Sequence, residues 1–249
     1  MKTLSFKKIV FFITLISINI YAQSPETSKI KTKILQQLKF SRNDIKDNLY
    51  VEKVLSNNNK LSVVVVPKIS RKEVDEFSNE ILSEMDAYIL LVENSNGNII
   101  STFYESNAWV SDAISISSIE INTELYSLNS NVNAFGIQVN YEGSSRANPY
   151  DKSDLSLFVK DGDNLKRVLN SFSIKEYKGE WDTNCEGQFE YVESVITIDE
   201  KMTHNFSNLI VKQTFSKFRN ELIKDDCIEK ITKEKTKTKK LKYNGMEYK

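Results

Sequence analysis

The sequence YILLVENSNGNIISTFY, residues 88–104, predicts a β-hairpin. Residues 88–92 form a short apolar run typical of a buried strand, and residues 99–104 are rich in β-branched and aromatic side chains. Asn96 and Gly97 lie between the two runs, and an Asn-Gly pair is a strong signal for a tight turn. We therefore expect a buried strand and an antiparallel neighbour here.

Strand-like segments continue on both sides of this hairpin. Residues 49–55 and 61–66 predict an earlier hairpin, and Pro67 is expected to end its second strand. Further strand candidates lie at residues 113–120, 135–141, 155–159, 165–169, 189–198 and 209–218. Because strands do not alternate with helices, the pattern favours a mainly β (α+β) protein, with an antiparallel β-sandwich or a curled sheet of eight or more strands.

Two N-terminal segments show helical spacing instead. Apolar residues recur with helical periodicity in residues 28–40 and again in residues 71–86. Ser70 and Glu73 have the spacing of a capping box at the start of the second segment. The sequence thus predicts one or two helices near the N-terminus.

The C-terminal segment alternates Lys with other residues. Lys233, Lys235, Lys237 and Lys239 recur at every second position, with Thr residues between most of them. This period fits an exposed edge strand, in which Lys opposes edge-to-edge aggregation, better than a nucleic-acid-binding arm. Asn244-Gly245 predicts a two-residue hairpin turn after it, and no nucleic-acid partner is expected.

The first 22 residues resemble an export signal. Lys2, Lys7 and Lys8 precede an apolar run at residues 9–20, and Ala22 is a suitable cleavage position. The run is too short and too polar for a membrane anchor. We expect cleavage after Ala22, which leaves a single domain at residues 23–249 without a transmembrane anchor, in the periplasm or secreted.

Composition excludes several kinds of chemistry. The 249 residues are 40% apolar and 27% charged, which fits a folded protein and not a disordered one. One His and two Cys leave little material for His-dependent catalysis or a Cys-rich metal site, so no metal and no cofactor are expected. Asp161-Gly162-Asp163 fits a hairpin turn better than a calcium loop, because the residues that follow lack alternating acids.

The two cysteines are expected to form a disulfide. Cys185 and Cys227 are the only pair, and an exported protein meets an oxidising compartment. A free thiol activated by His204, or a pair of metal ligands, remains the alternative.

The segment 179–185 contains the weak candidates for catalysis. Glu180 and Asp182 lie on either side of Trp181, and a glycosidase uses paired carboxylates beside an aromatic platform. The alternative is a polar turn next to the disulfide, with Trp181 as a hydrophobic plug.

Several aromatic and charged residues in predicted loops are candidates for binding. Arg146 and Tyr150 lie in a Gly/Ser/Asn/Pro-rich loop, and Trp109 is either a core residue or a stacking surface. Trp, Tyr and Arg are over-represented in binding hot spots. We take as a candidate ligand- or partner-binding patch Trp109, Arg146, Tyr150, Trp181 and Asp182.

Several segments also carry a resemblance. They are DAYILLV at residues 86–92, NGNII at 96–100, WVSD at 109–112, AFGI at 134–137, GSSR at 143–146, NPY at 148–150 and GEWDTNC at 179–185. As a set they are similar to exported proteins of Gram-negative bacteria that have no assigned function, over about residues 86–218. The resemblance implies a periplasmic or secreted location and no activity.

These observations favour a non-enzymatic binding or interaction module of the cell envelope, with a protein or an envelope glycan as its partner. Two alternatives stay open at this point. One is a secreted hydrolase of envelope glycans, and the other is an inhibitor or immunity protein for an envelope toxin.

Overall fold

The computed structural model describes residues 25–74 and 81–249, so the predicted export signal lies outside the described residues. Helix α1, Pro25–Leu38, confirms the first predicted helix. Its buried residues Ile34 and Leu35 pack on the outer face of the sheet. In the described part of the chain, no helix combines the length and apolar character that a membrane crossing needs.

Eleven strands follow in the described residues and form one mixed sheet, which confirms the mainly β prediction. Their bounds are β1 Val51–Leu55, β2 Asn58–Val74, β3 Ile81–Glu93, β4 Ile99–Ser111, β5 Ile114–Ser127, β6 Asn133–Gly143, β7 Tyr150–Asp161, β8 Asn164–Trp181, β9 Gly187–Thr203, β10 Phe206–Ile223 and β11 Asp226–Leu241. The first eight are ordered β1-β2-β3-β4-β8-β7-β6-β5, and β9, β10 and β11 continue from the end of β8.

The sheet curls so that its two ends, β1 and β5, lie side by side. Lys53 on β1 donates a hydrogen bond to the carbonyl of Ile121 on β5 at 3.1 Å, and Ser56 donates one to the carbonyl of Thr123. The curl encloses the main core, to which strands β2 to β8 all contribute buried side chains. The predicted hairpin at residues 88–104 corresponds to β3 and β4 and is confirmed.

Burial on both faces explains the continuous apolar runs of the central strands. In β2, Val63 and Val65 point into the curl, whereas Val64 and Val66 pack under α1. Because successive side chains of a strand point to opposite faces, a strand covered on both faces must be apolar throughout.

A second packed layer forms where β10 returns over the outer face of β7 and β8. Leu209 and Val211 of β10 pack with Leu157 and Val168. This packing gives the curled sheet a sandwich-like region.

The predicted helix at residues 71–86 is wrong. Residues 71–74 end β2, and residues 81–86 begin β3, while residues 75–80 lie outside the described residues. Glu73 pairs with Leu82 across this hairpin, and Ser70 donates to Asn107 Oδ1. Pairing with a neighbouring strand outweighs the local helical pattern here, because strand formation depends on the neighbours against which a segment packs.

The prediction that Pro67 ends its strand is wrong. β2 continues through Pro67, which lies opposite Ala87 of β3. On the other edge of β2, Ile45 forms an isolated antiparallel bridge with Lys68, and the N–H of Lys46 donates to the carbonyl of Pro67 at 2.9 Å. This edge therefore uses the carbonyl of Pro67 and does not require the N–H that proline lacks.

The Lys-rich C-terminal segment is an edge strand, as predicted, but the turn after it differs. β11 pairs with β10 alone, and Lys237 and Lys239 lie over aromatic rings at 5.5 and 4.6 Å. Tyr243 pairs with Tyr248, so the turn has four residues and not two. Asn244 Oδ1 accepts hydrogen bonds from the backbone N–H groups of Met246 and Glu247, both at 2.9 Å, which stabilises the longer turn.

The predicted disulfide joins Cys185 and Cys227, whose Cα atoms are 5.6 Å apart. It ties the loop at residues 182–186 to the start of β11. The disulfide therefore closes a large loop that contains all of β9 and β10.

We expect the Cys185→Ala/Cys227→Ala variant to lose about 4 kcal/mol in the free energy of unfolding, since the bridge restricts a long loop of the unfolded chain. Urea unfolding measures this loss. As a control, a reductant should lower the stability of the wild type to that of the variant and leave the variant unchanged. Equal stability of the two proteins without reductant would contradict the prediction.

Candidate functional site

Three of the five residues of the predicted patch meet in one depression of about 490 Å³, here called the surface pocket. They are Arg146, Tyr150 and Trp181. Arg146 comes from the loop at residues 144–149, Tyr150 starts β7, and Trp181 ends β8. Their neighbours in the pocket include Glu142, Asp151, Tyr177, Phe189 and Asn220.

Backbone hydrogen bonds hold the loop at residues 144–149 against β8. The N–H of Gly179 donates to the carbonyl of Pro149 at 3.1 Å, and the N–H of Trp181 donates to the carbonyl of Ala147 at 2.8 Å. The loop is therefore a continuation of the β7–β8 pairing, and it places Arg146 beside Trp181.

Arg146 and Trp181 form a cation–π pair. The guanidinium carbon lies 5.5 Å from the centroid of the indole, and Arg146 Nη2 also lies 3.5 Å from the carbonyl of Thr183. Such pairs contribute about 0.5–1 kcal/mol at exposed sites. The pair thus favours one arrangement of the two side chains before any partner arrives.

The stacked rings of Tyr177 and Phe189 form the floor of the surface pocket, and the ring of Phe218 also stacks on that of Phe189. Phe189 is buried, and its ring centroid lies 5.9 Å from that of Tyr177 and 5.2 Å from that of Phe218. Two glycines make room for Phe189. A Cβ on Gly179 would lie 2.3 Å from the ring, and one on Gly187 would lie 2.7 Å from it.

Tyr150 lies at the edge of this floor and keeps its proton. Burial raises the pKa of Tyr150, and the nearby carboxylate of Glu176 raises it further. At neutral pH the hydroxyl is therefore a hydrogen-bond donor as well as an acceptor.

Asp182 and Glu180, the weak catalytic candidates, have different surroundings. Asp182 Oδ1 accepts the backbone N–H groups of Asn184 and Cys185, both at 2.9 Å, and so orders the loop that carries the disulfide. Glu180 lines a separate polar groove of about 660 Å³. In that groove Lys178 and Lys217 form ion pairs with Glu190, and the hydrogen bond from Lys217 lowers the pKa of the Glu190 carboxyl.

Trp109 is separated from the surface pocket. It is 8% exposed and belongs to the core inside the curl, which agrees with the core alternative of the sequence analysis. It lines a cavity of about 250 Å³, here called the interior cavity, together with Glu105, Tyr141, Asp154 and Arg167. Sequence reasoning missed those four residues, because they come from four different strands and no local motif contains them.

His204 lies in the β9–β10 turn, and Asp163 of the β7–β8 turn contacts β4 through its backbone. His204 and Asn205 form the turn between β9 and β10, both with positive φ, and His204 Nδ1 lies 3.1 Å from the carbonyl of Tyr243. Asp163 accepts the N–H of Thr102 through its backbone carbonyl. Within residues 25–74 and 81–249, no group of three or more His, Cys, Asp or Glu side chains is placed to hold a metal.

The fold and the surface pocket define a curled β-sheet protein with a preformed aromatic and arginine-containing pocket. No protein-family model matches the chain, and no curated protein or solved structure matches it either. The assignment of the pocket therefore rests on its geometry and chemistry.

We expect Gly179→Ala to lower the free energy of unfolding by about 1–3 kcal/mol, because the added methyl group overlaps the ring of Phe189. The same substitution should cost less in a Phe189→Val background, where the ring is absent. Urea unfolding of the two single variants and the double variant measures the coupling. Additive effects would show that the ring of Phe189 does not lie over Gly179.

Proposed function

We propose that this protein is an exported, non-enzymatic binding module of the bacterial cell envelope, and that its surface pocket binds a partner protein. The convergence of Arg146, Tyr150 and Trp181 in one pocket carries the proposal. Binding energy at protein interfaces is concentrated in a few residues, and these three residue types are enriched among them.

The order of the pocket supports binding. Trp181 is held by the cation–π contact with Arg146, and the loop that carries Arg146 is hydrogen-bonded to β8. A partner therefore loses less free energy to the ordering of side chains than it would at a mobile surface.

The charges of the pocket favour a basic side chain on the partner. Glu142 and Asp151 carry two negative charges around the aromatic floor, and Arg146 supplies one positive charge. A Lys or Arg side chain of the partner would meet both the faces of the Tyr rings and the carboxylates. We infer that the partner inserts a loop with a basic residue into the surface pocket.

The predicted leader and the disulfide support the envelope location. Residues 1–22 have the pattern of an export signal, and the Cys185–Cys227 bridge persists best in an oxidising compartment. An inhibitor or immunity protein for an envelope toxin is also a non-enzymatic binding protein of the envelope, so that alternative is one form of this proposal.

The glycan-hydrolase alternative has less support. Asp182 Oδ1 accepts hydrogen bonds from two backbone N–H groups. Glu180 and Trp181 are successive residues of β8, so their side chains point to opposite faces of the sheet. No observation favours a shared catalytic role for these two carboxylates, and we do not propose one.

The test is capture from the envelope fraction of the protein's own cells, with quantitative mass spectrometry of cross-linked partners. We expect Arg146→Ala/Tyr150→Ala to reduce capture of one partner protein at least tenfold, since two hot-spot side chains are removed.

The matched control is Arg42→Ala/Tyr104→Ala, which changes the same residue types at exposed positions outside the surface pocket. It should leave capture unchanged. Equal capture by all three proteins would contradict the proposal, and so would retention of an envelope polysaccharide in place of a protein.

A further inference from the structure

Strand β11 forms a free edge of the sheet. In the described part of the chain it pairs with β10 alone, and every residue of β11 except Leu241 is exposed. Along the free side of an edge strand, a row of backbone N–H and C=O groups has no neighbouring strand to pair with. These groups can receive one further strand.

One face of β11 carries a row of lysines at this edge. Lys233, Lys235, Lys237 and Lys239 occupy alternate positions of the strand and therefore point to the same face, and we call them the lysine row. The pairing with β10 is regular throughout this stretch. Alternate residues of a strand lie about 6.7 Å apart, so the lysine row starts from backbone positions spread over about 20 Å.

The charge of the lysine row is not neutralised by ion pairs. Residues 233–240 contain five Lys and one Glu. Within residues 25–74 and 81–249, no carboxylate forms a salt bridge with a member of the lysine row, whereas Lys230 and Lys240 of the same strand pair with Glu221 and Asp199 at 2.6 and 2.7 Å. The lysine row is therefore a linear array of uncompensated positive charge.

Aromatic rings help to position two of these ammonium groups. Lys237 Nζ lies 5.5 Å from the ring centroid of Phe215, and Lys239 Nζ lies 4.6 Å from that of Phe172. The face of a ring attracts a cation without removing its charge. Both ammonium groups thus have a favoured position and remain available to an anion.

An extended peptide with an acidic residue at every second position matches the edge and the lysine row together. Its acidic side chains share one face and recur at the spacing of the lysine row, and opposite side chains of neighbouring strands have Cβ atoms about 5 Å apart. Its backbone can pair with the free groups of β11. A helix satisfies its own backbone hydrogen bonds and would leave this edge unpaired.

The lysine row also disfavours a second copy of this chain at the same edge. Two β11 strands that pair antiparallel in one continuous sheet place their lysine rows on the same face, and like charges opposite each other are destabilising. Lysines on an edge strand therefore oppose self-association and leave the edge open to a strand of opposite charge.

We propose that β11 binds a partner protein through an extended acidic segment, which adds a strand to the sheet and places Asp or Glu side chains beside the lysine row. This mode of recognition takes its affinity from main-chain hydrogen bonds and its specificity from alternate side chains. None of the residues that line the surface pocket belongs to β11, so this interaction surface is separate from that pocket.

A labelled peptide, Thr-Glu-Thr-Glu-Val-Glu-Thr-Glu-Thr, tests the match of spacing by fluorescence polarisation with the purified protein. At low ionic strength we expect a Kd of about 100 µM or less. The control peptide, Thr-Thr-Glu-Glu-Glu-Glu-Val-Thr-Thr, has the same composition and charge. It should bind about fivefold or more weakly, because in a strand only two of its Glu side chains share a face.

Two N-methylated versions of the first peptide test the backbone contacts. One carries N-methyl groups on its Glu residues, and the other carries them on the three residues between the Glu residues. The N–H groups of only one of these sets face β11. One version should therefore lose at least tenfold in affinity, whereas the other should bind like the unmethylated peptide.

Lys235→Gln/Lys237→Gln should raise the Kd of the first peptide at least tenfold, because it removes two charges from the centre of the lysine row. Lys235→Arg/Lys237→Arg keeps these charges and should bind like the wild type. The matched control is Lys201→Gln/Lys212→Gln, which removes two charges at exposed positions of β9 and β10 and should leave the Kd unchanged.

Arg146→Ala/Tyr150→Ala should also leave the Kd of this peptide unchanged. This proposal and the proposed function of the surface pocket can therefore fail separately.

Four results would overturn the proposal. They are equal binding of the two Glu peptides, equal binding of both N-methylated versions, a Kd that the Gln substitutions do not change, and a loss of binding in the Arg variant. Equal binding of the two Glu peptides would indicate a general attraction of anions to the lysine row. A dimer in sedimentation equilibrium together with no peptide binding would also overturn it, and would assign the edge to a second copy.

Discussion

The pairing of β8 with different partners along its length is the constraint on which the rest of the structure depends. Residues from Asn164 to Lys178 pair with β7, and residues from Lys175 to Trp181 pair with β9. The first part of β8 touches β4 at one pair of residues and so completes the curl. The second part leaves the curl and supports β9, β10 and β11. One long strand therefore joins the enclosed core to the part of the sheet formed by β9, β10 and β11.

This arrangement separates two kinds of site by their position along β8. Near its start, the gap toward β4 leaves the interior cavity, which is bridged by Arg167 and Glu105. At its end, Trp181 meets the loop at residues 144–149 and forms the surface pocket with Arg146. The disulfide then secures the loop that follows Trp181 to β11. The surface pocket and the interior cavity thus share a strand and differ in depth and size.

The features that the sequence predicts correctly are those with local signals. The hairpin at residues 88–104 is specified by its own turn, and the disulfide follows from the only two cysteines and the expected compartment. The helical periodicity of residues 71–86 gives a wrong prediction, because periodicity alone does not show that residues 71–74 and 81–84 pair with each other as strands. The surface pocket was predicted in part, since residue type marks Arg146 and Trp181 but cannot show that they meet. The interior cavity has no signal of its own, because Glu105 and Arg167 are 62 residues apart.

The central claim is that Trp109 of β4 lies in the core inside the curl, whereas Trp181 lies at the surface at the end of β8. A bulky, water-soluble paramagnetic complex tests this claim in protein labelled with 5-fluorotryptophan, because it cannot enter a cavity of about 250 Å³. The account predicts strongly accelerated fluorine relaxation for Trp181 and little change for Trp109, which is 8% exposed. Equal acceleration of both resonances would contradict it.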